Sequence, residues 1–157
     1  MIRTIPGFDS YSNWRLIWEN LLQWLPDAGS IVVYNAQFEL GRLKECCQLH
    51  PHFKPWLANV EGWMVDLLKP FRAFRYYAPG QNGSASMKAV LPALTGRSYD
   101  HLAIQEGATA SLEFLRVHFT VAPEAERQRV RRELKEYCGQ DTEGMIWIVE
   151  VLRRLVG

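Results

Sequence analysis

The feature that most constrains this chain is a short apolar run, Ile31-Val32-Val33-Tyr34, closed by Asn35. Residues that are β-branched or aromatic, bounded by turn formers, read as a strand over 31–35. Neither alternate set of side chains is polar, so the strand is expected inside a sheet, covered on both faces. Around it the pattern is helical. A single buried strand cannot satisfy its own backbone N–H and C=O groups. Either further strands hide in weaker segments, or the sheet is completed by residues this chain does not contain.

Upstream, Asp9 and Ser10 offer N-caps for a helix whose stripe is Trp14, Ile17, Trp18, Leu21 and Leu25. Pro26, Asp27 and Gly29 stop it. A second helix is predicted from Ala36 to Leu49, ended by His50 and Pro51. Residues 51–62, with Pro and Asn, read as loop, and Trp63-Met64-Val65 leads to Asp66 and a short helical stretch near Pro70. The segment from Ala78 to Ser86 is predicted to be the most flexible. Ser84 or Ser86 can cap a helix from Met87 to Leu94 that Gly96 terminates. A helix around Ala108 to His118 follows, and Pro123 opens a long one reaching Leu155. No repeat, low-complexity tract or block of like charge interrupts this order.

Composition fits one globular domain spanning 1–157: 48% of residues are apolar and 22% charged. A net charge of +1 neither demands nor excludes a nucleic-acid partner, since a nuclease needs only a local basic rim. The 3 cysteines, Cys46, Cys47 and Cys138, form neither a disulfide framework nor a CxxC pattern, which points to a reducing, cytoplasmic compartment. The first residues lack an apolar signal core, and no run has the roughly 18 apolar residues of a membrane span. His50, His52, His101 and His118 show no zinc spacing.

Chemistry concentrates in two places. In the last helix Val130, Leu134, Tyr137, Cys138, Met145, Ile148, Leu152 and Leu155 share one face, and Asp141 projects from that apolar stripe. A carboxylate there needs a partner: a cation, a metal or several donors. Tyr137 stands one turn earlier, either as core or as a phenol that orients or deprotonates a water. Near the strand, Asn35 precedes Glu39 in the first turn of the next helix. Strand-to-helix junctions at sheet ends carry functional groups in α/β proteins. An acid in a first turn and an Asn at a helix start also have structural uses. Asp66 reads as a capping residue or an outer acid. Lys88 reads as a phosphate contact or a solvated lysine. Arg72 and Arg75, among Phe71, Phe74, Tyr76 and Tyr77, read as stacking and phosphate contacts to a single strand or as loop packing.

Taken together, Asn35-Ala36-Gln37-Phe38-Glu39 after a strand and Tyr137-Cys138-Gly139-Gln140-Asp141 on a late helix resemble the second and third motifs of the DEDD exonucleases. These DnaQ-like enzymes have the ribonuclease H-like fold, and the tyrosine marks one subgroup. The chain also resembles a family known as domain of unknown function 2779. That likeness runs through Ile31 to Glu39, Asp66-Leu67-Leu68-Lys69-Pro70-Phe71, Gly83 to Leu94 and Tyr137 to Thr142. The resemblance implies a 3′–5′ exonuclease acting on DNA or RNA with a 3′ end, using two divalent ions, Mg²⁺ or Mn²⁺. It implies that Glu39 and Asp141 ligate metal, that Tyr137 positions the attacking water, and that Asn35 and Lys88 lie toward substrate. Two cations about 4 Å apart stabilise both the entering hydroxide and the leaving oxygen.

The same resemblance exposes a gap. Its first motif, Asp-x-Glu on the first strand, has no counterpart before the first helix, where Asp9 stands alone. The expected fold is thus an incomplete ribonuclease H-like α/β domain, mostly helical, with its first strands missing. Weak metal binding, little hydrolysis, and some self-association through uncovered apolar surface follow. Truncation of a larger nuclease, a degenerate relative that binds nucleic acid or protein without catalysis, and strands supplied by an upstream domain or another chain all fit that pattern.

Overall fold

A computed structural model describes residues 29–157; the expected first helix lies outside the described residues. Described residues are mostly helical around a small parallel sheet, which makes the chain α/β. They fall into two compact units, one ending at Asp66 and the other running Leu67–Gly157.

In the first unit, β1 (Ile31–Val33) pairs in parallel with β2 (Met64–Asp66), in the register Ile31 to Met64, Val32 to Val65 and Val33 to Asp66. The strand is shorter than the 31–35 expected, because the chain turns at Tyr34 and Asn35. Nor is it covered on both faces: Val32 is 37% exposed and its neighbour Val65 is 46% exposed. A strand with one described neighbour alternates between a covered and an open face, and the β-branched run disguised that alternation. The partner strand was the weak segment, too short and too mixed to be read as a strand.

Parallel strands need a long crossover, and here it is helical. It comprises α1 (Ala36–Leu49), a 3-10 turn (Pro51–Phe53) and α2 (Lys54–Trp63). The expected loop over 51–62 is therefore mostly helix. Pro55 sits in its first turn, where its missing N–H costs nothing, and Leu57 and Val60 are buried at helical spacing. Cys47, Phe53 and Leu57 form the core, with Leu40, Leu43, Cys46 and Trp56 packed against them. Leu40, Leu43 and Cys47 recur along one face of α1.

The second unit begins with α3 (Leu68–Arg72), which buries Leu68 and Phe71. It ends in a Schellman arrangement: Phe74 N–H bonds Phe71 C=O at 3.2 Å and Arg75 N–H bonds Pro70 C=O at 2.9 Å. The left-handed residue that this motif requires is usually glycine. Here it is Phe74, at φ 52°. For a residue with a Cβ that conformation costs roughly 1–2 kcal/mol.

The segment expected to be most flexible is tied down by a buried amide. Gln81, 2% exposed, accepts from Ala78 N–H at 2.8 Å and donates to Ser84 C=O at 3.1 Å. Then comes α4 (Met87–Thr95), with Ser86 at its N-cap position and Gly96 closing it at φ 71°. The Ser86 side chain makes no capping bond; its hydroxyl instead accepts from the Ser84 hydroxyl at 3.1 Å.

Next, α5 (Gly107–Phe119) and α6 (Glu124–Leu155) follow, with α6 packing against both α4 and α5. Pro123 stands one residue ahead of α6 rather than inside it. Glu124 and Glu126 in the first turn and Arg153 and Arg154 in the last complement the helix dipole. Val130, Gly144 and Ile148 are its buried positions, whereas Cys138 and Leu155, expected on the apolar face, are exposed. Along so long a straight helix a stripe drifts away from a fixed partner toward its ends, which accounts for Leu155; Cys138, near the middle, is not explained by it.

Gly144 lets α4 and α6 approach. A Cβ there would lie 3.2 Å from Leu91 Cδ2 and 3.5 Å from Met87 Cε. A branched side chain at this point overpacks the seam: Gly144→Leu is expected to lower stability by about 1–3 kcal/mol in chemical denaturation.

Candidate functional site

At the junction between β1 and α1, Asn35 adopts the left-handed conformation, φ 74° and ψ 67°. Asn tolerates that region better than most residues. Its side chain makes no cap bond; its carbonyl accepts from Phe38 N–H at 2.9 Å, and its own N–H donates to Asp66 Oδ1 at 2.9 Å. Asp66 therefore clasps the ends of the two strands together. Glu39 lies exposed in the first turn of α1, where the helix dipole favours a negative charge. Beside it, Phe38 is 58% exposed beneath the guanidinium of Arg42.

In the second unit, Asp141 has partners. Tyr99, only 5% exposed, donates its hydroxyl to Asp141 Oδ1 at 2.7 Å. Tyr137, one turn before Asp141 on α6, lies with its ring centroid 6.1 Å from that of Tyr99. Burial pushes the Tyr137 phenol up to about 12, helped by the negative charge of Asp141 and by hydrogen bonding to it. At neutral pH Tyr137 is a neutral phenol that can donate a hydrogen bond toward Asp141.

The neighbouring residue repeats the grip: Gln140 Nε2 donates to Ser98 C=O at 3.2 Å. Close by, Arg97 stacks over Trp147 at 3.8 Å. A hollow of about 460 Å³ opens there, lined by Arg97, Ser98, Asp100, His101, Gln140 and Trp147. Lys88, expected to reach a phosphate, stands 3.6 Å from Glu106 on the surface.

Tyr99 was not legible as a site residue. It follows the helix-ending Gly96 in a polar stretch, and its partner lies 42 residues on. The requirement that a carboxylate on an apolar stripe find donors was legible, but not which donors.

Whether these residues fit a pair of divalent ions can be tested on the donors present. Hard cations take several oxygen ligands, mostly carboxylates, carbonyls and water. Among the described residues no three His, Cys, Asp or Glu side chains gather into such a group. One Asp141 oxygen already accepts from Tyr99, and a neutral phenol is a poor ligand. The described donor set does not fit a two-ion centre by itself.

A parallel strand–crossover–strand unit followed by a helical unit defines an α/β chain with a small sheet. The family model for a domain of unknown function, DUF2779, matches residues 8–86, just over half of the chain, and the chain belongs to that family. The match includes Asn35, Glu39 and Asp66 and ends before Tyr137 and Asp141. An uncharacterised protein of Mycoplasma genitalium is 29% identical over 167 aligned residues, covering 96% of this chain and 24% of that protein. The chain therefore spans about a quarter of that relative's length. No solved structure matches the chain. Among the described residues no helix is long and apolar enough to cross a membrane.

Two measurements check the geometry. Tyr99→Phe removes a charge-assisted bond and is expected to cost about 1–3 kcal/mol of stability by denaturant titration. Because Tyr137 is raised in the folded state, the stability it contributes is complete below its unfolded value near 10 and is lost as pH climbs toward 12. Tyr137→Phe should flatten that part of the stability–pH curve.

Proposed function

We propose that this chain is part of a nuclease-derived domain whose intact form removes nucleotides from the 3′ end of DNA or RNA with two divalent ions, Mg²⁺ or Mn²⁺. We also propose that the chain alone hydrolyses little. The observation that carries the reading is the tyrosine–carboxylate pair of α6, held one helical turn apart and half out of solvent, in the order and spacing of the Tyr-x-x-x-Asp motif. Supporting it, Glu39 occupies the first helical turn after a sheet strand, as the other motif requires. A parallel β–crossover–β pair is also a unit from which a ribonuclease H-like sheet is extended. The ribonuclease H-like fold is part of this proposal.

The short ligand set is the reason to expect little hydrolysis. Asp141 and Glu39 do not make up the ligands of two ions, and Tyr99 competes for one of the Asp141 oxygens. That competition favours a second reading, a non-catalytic nucleic-acid- or protein-binding module in which the carboxylate serves as a structural acceptor.

A thermal-shift titration with Mn²⁺ on wild type, Asp141→Asn and Glu39→Gln separates the two. The nuclease-derived reading expects a small rise in melting temperature for wild type that either substitution reduces. An identical response from all three proteins would leave the binding-module reading in its place.

A further inference from the structure

Residues 67–99 contain Lys69, Arg72, Arg75, Lys88 and Arg97 and not one Asp or Glu. The cations are spaced singly, so no charge run stands out, yet the start of the second unit is basic within a nearly neutral chain. Among the described residues Lys69, Arg72 and Arg75 have no carboxylate partner, whereas Lys88 pairs with Glu106. All three unpaired cations are exposed.

Between them sits an aromatic platform. Phe74 is 69% exposed and Tyr77 is 43% exposed, with ring centroids 5.8 Å apart. Phe71 behind them is buried, and the Tyr77 hydroxyl accepts from Gly83 N–H at 3.1 Å, which anchors that ring. A hollow of about 210 Å³ lies against the pair, edged by Arg72, Gly83 and Ser84. That is too small for a typical drug-sized ligand and suits one planar ring.

Phe74 is doubly unfavourable where it stands. It fills the left-handed position of the Schellman turn that glycine would occupy without strain, and it holds an apolar ring in water. Within the unit its ring meets that of Tyr77 and is otherwise largely in water.

Exposed ring faces, guanidiniums without a carboxylate partner among the described residues and a stretch free of acids from 67 to 99 share one complementary ligand chemistry: planar bases strung on phosphates. A duplex keeps its bases stacked inside, so the accessible form is a single strand. We infer that the Phe74–Tyr77 platform binds single-stranded nucleic acid, one base lying against the rings and its flanking phosphates reaching Arg72 and Arg75. The ligand's class rests on the nucleic-acid reading above, but the site is separate from Asp141 and needs no metal.

The test is fluorescence anisotropy of a labelled single-stranded oligonucleotide in EDTA, with the thermal midpoint measured on the same proteins. Phe74→Gly relieves the backbone strain while deleting the ring. It is expected to raise the midpoint and to weaken binding about tenfold or more, opposite signs that a merely structural Phe74 would not produce. Arg72→Gln should weaken binding and flatten its salt dependence. Unlabelled duplex should compete poorly. Wild-type binding by Phe74→Gly, equal competition by duplex, or no oligonucleotide binding by wild type would each overturn the inference. Retained binding in Phe74→Gly with an intact Mn²⁺ response removes this site and leaves the nuclease reading. A missing Mn²⁺ response with Phe74-dependent binding does the reverse.

Discussion

The second unit depends on how one carboxylate is satisfied. Asp141 stands on a long helix that packs against two others, and an acid in that setting is tolerated only when donors surround it. Tyr99 arrives from the segment after α4, and Tyr137 rises from the previous turn of α6 itself. The loop between α4 and α5 is therefore held to the helix that both of them flank. Gln140 and Asp141, adjacent on α6, grip Ser98 and Tyr99, adjacent on the loop. Successive helical residues point about 100° apart, so two such grips fix the rotation of α6 as well as its position.

This arrangement gives the tyrosine–acid motif a structural use alongside any chemical one. A carboxylate that accepts from a buried phenol has part of its hydrogen-bonding need met without a metal. An ion arriving there would have to displace or share that donor. The balance between the two uses is a matter of how many further ligands surround the site, and among the described residues no three His, Cys, Asp or Glu side chains gather there. The basic surface near Phe74 is of another kind. It depends on ring faces and uncompensated positive charge, and it is built on a turn whose backbone would prefer another residue.

Much of the helical layout was legible because it rests on local rules. Helix α1 from Ala36 to Leu49 and the closure of α4 at Gly96 follow from periodicity and the glycine cap. The parts that were not legible are those decided at long range. Met64-Val65-Asp66 becomes a strand because Ile31–Val33 is available to pair with it, and no propensity of its own announces that. The segment after Pro51 was taken for loop because its prolines were read as breakers, when they occupy first-turn positions that favour a helix start. Among the candidate site residues, Asp141 was legible as an acid needing partners, but Tyr99 was not. Lys88 read as a phosphate contact or a solvated lysine, and it stands on the surface 3.6 Å from Glu106.

The clasp between Asp66 and the Asn35 amide has a mechanical meaning. It joins the last residue of β2 to the hinge from which α1 departs, so the crossover is a closed ring fastened at its narrowest point. That one bond links the end of β2 to the residue ahead of the first turn of α1, where Glu39 resides, by a path that bypasses the intervening helices.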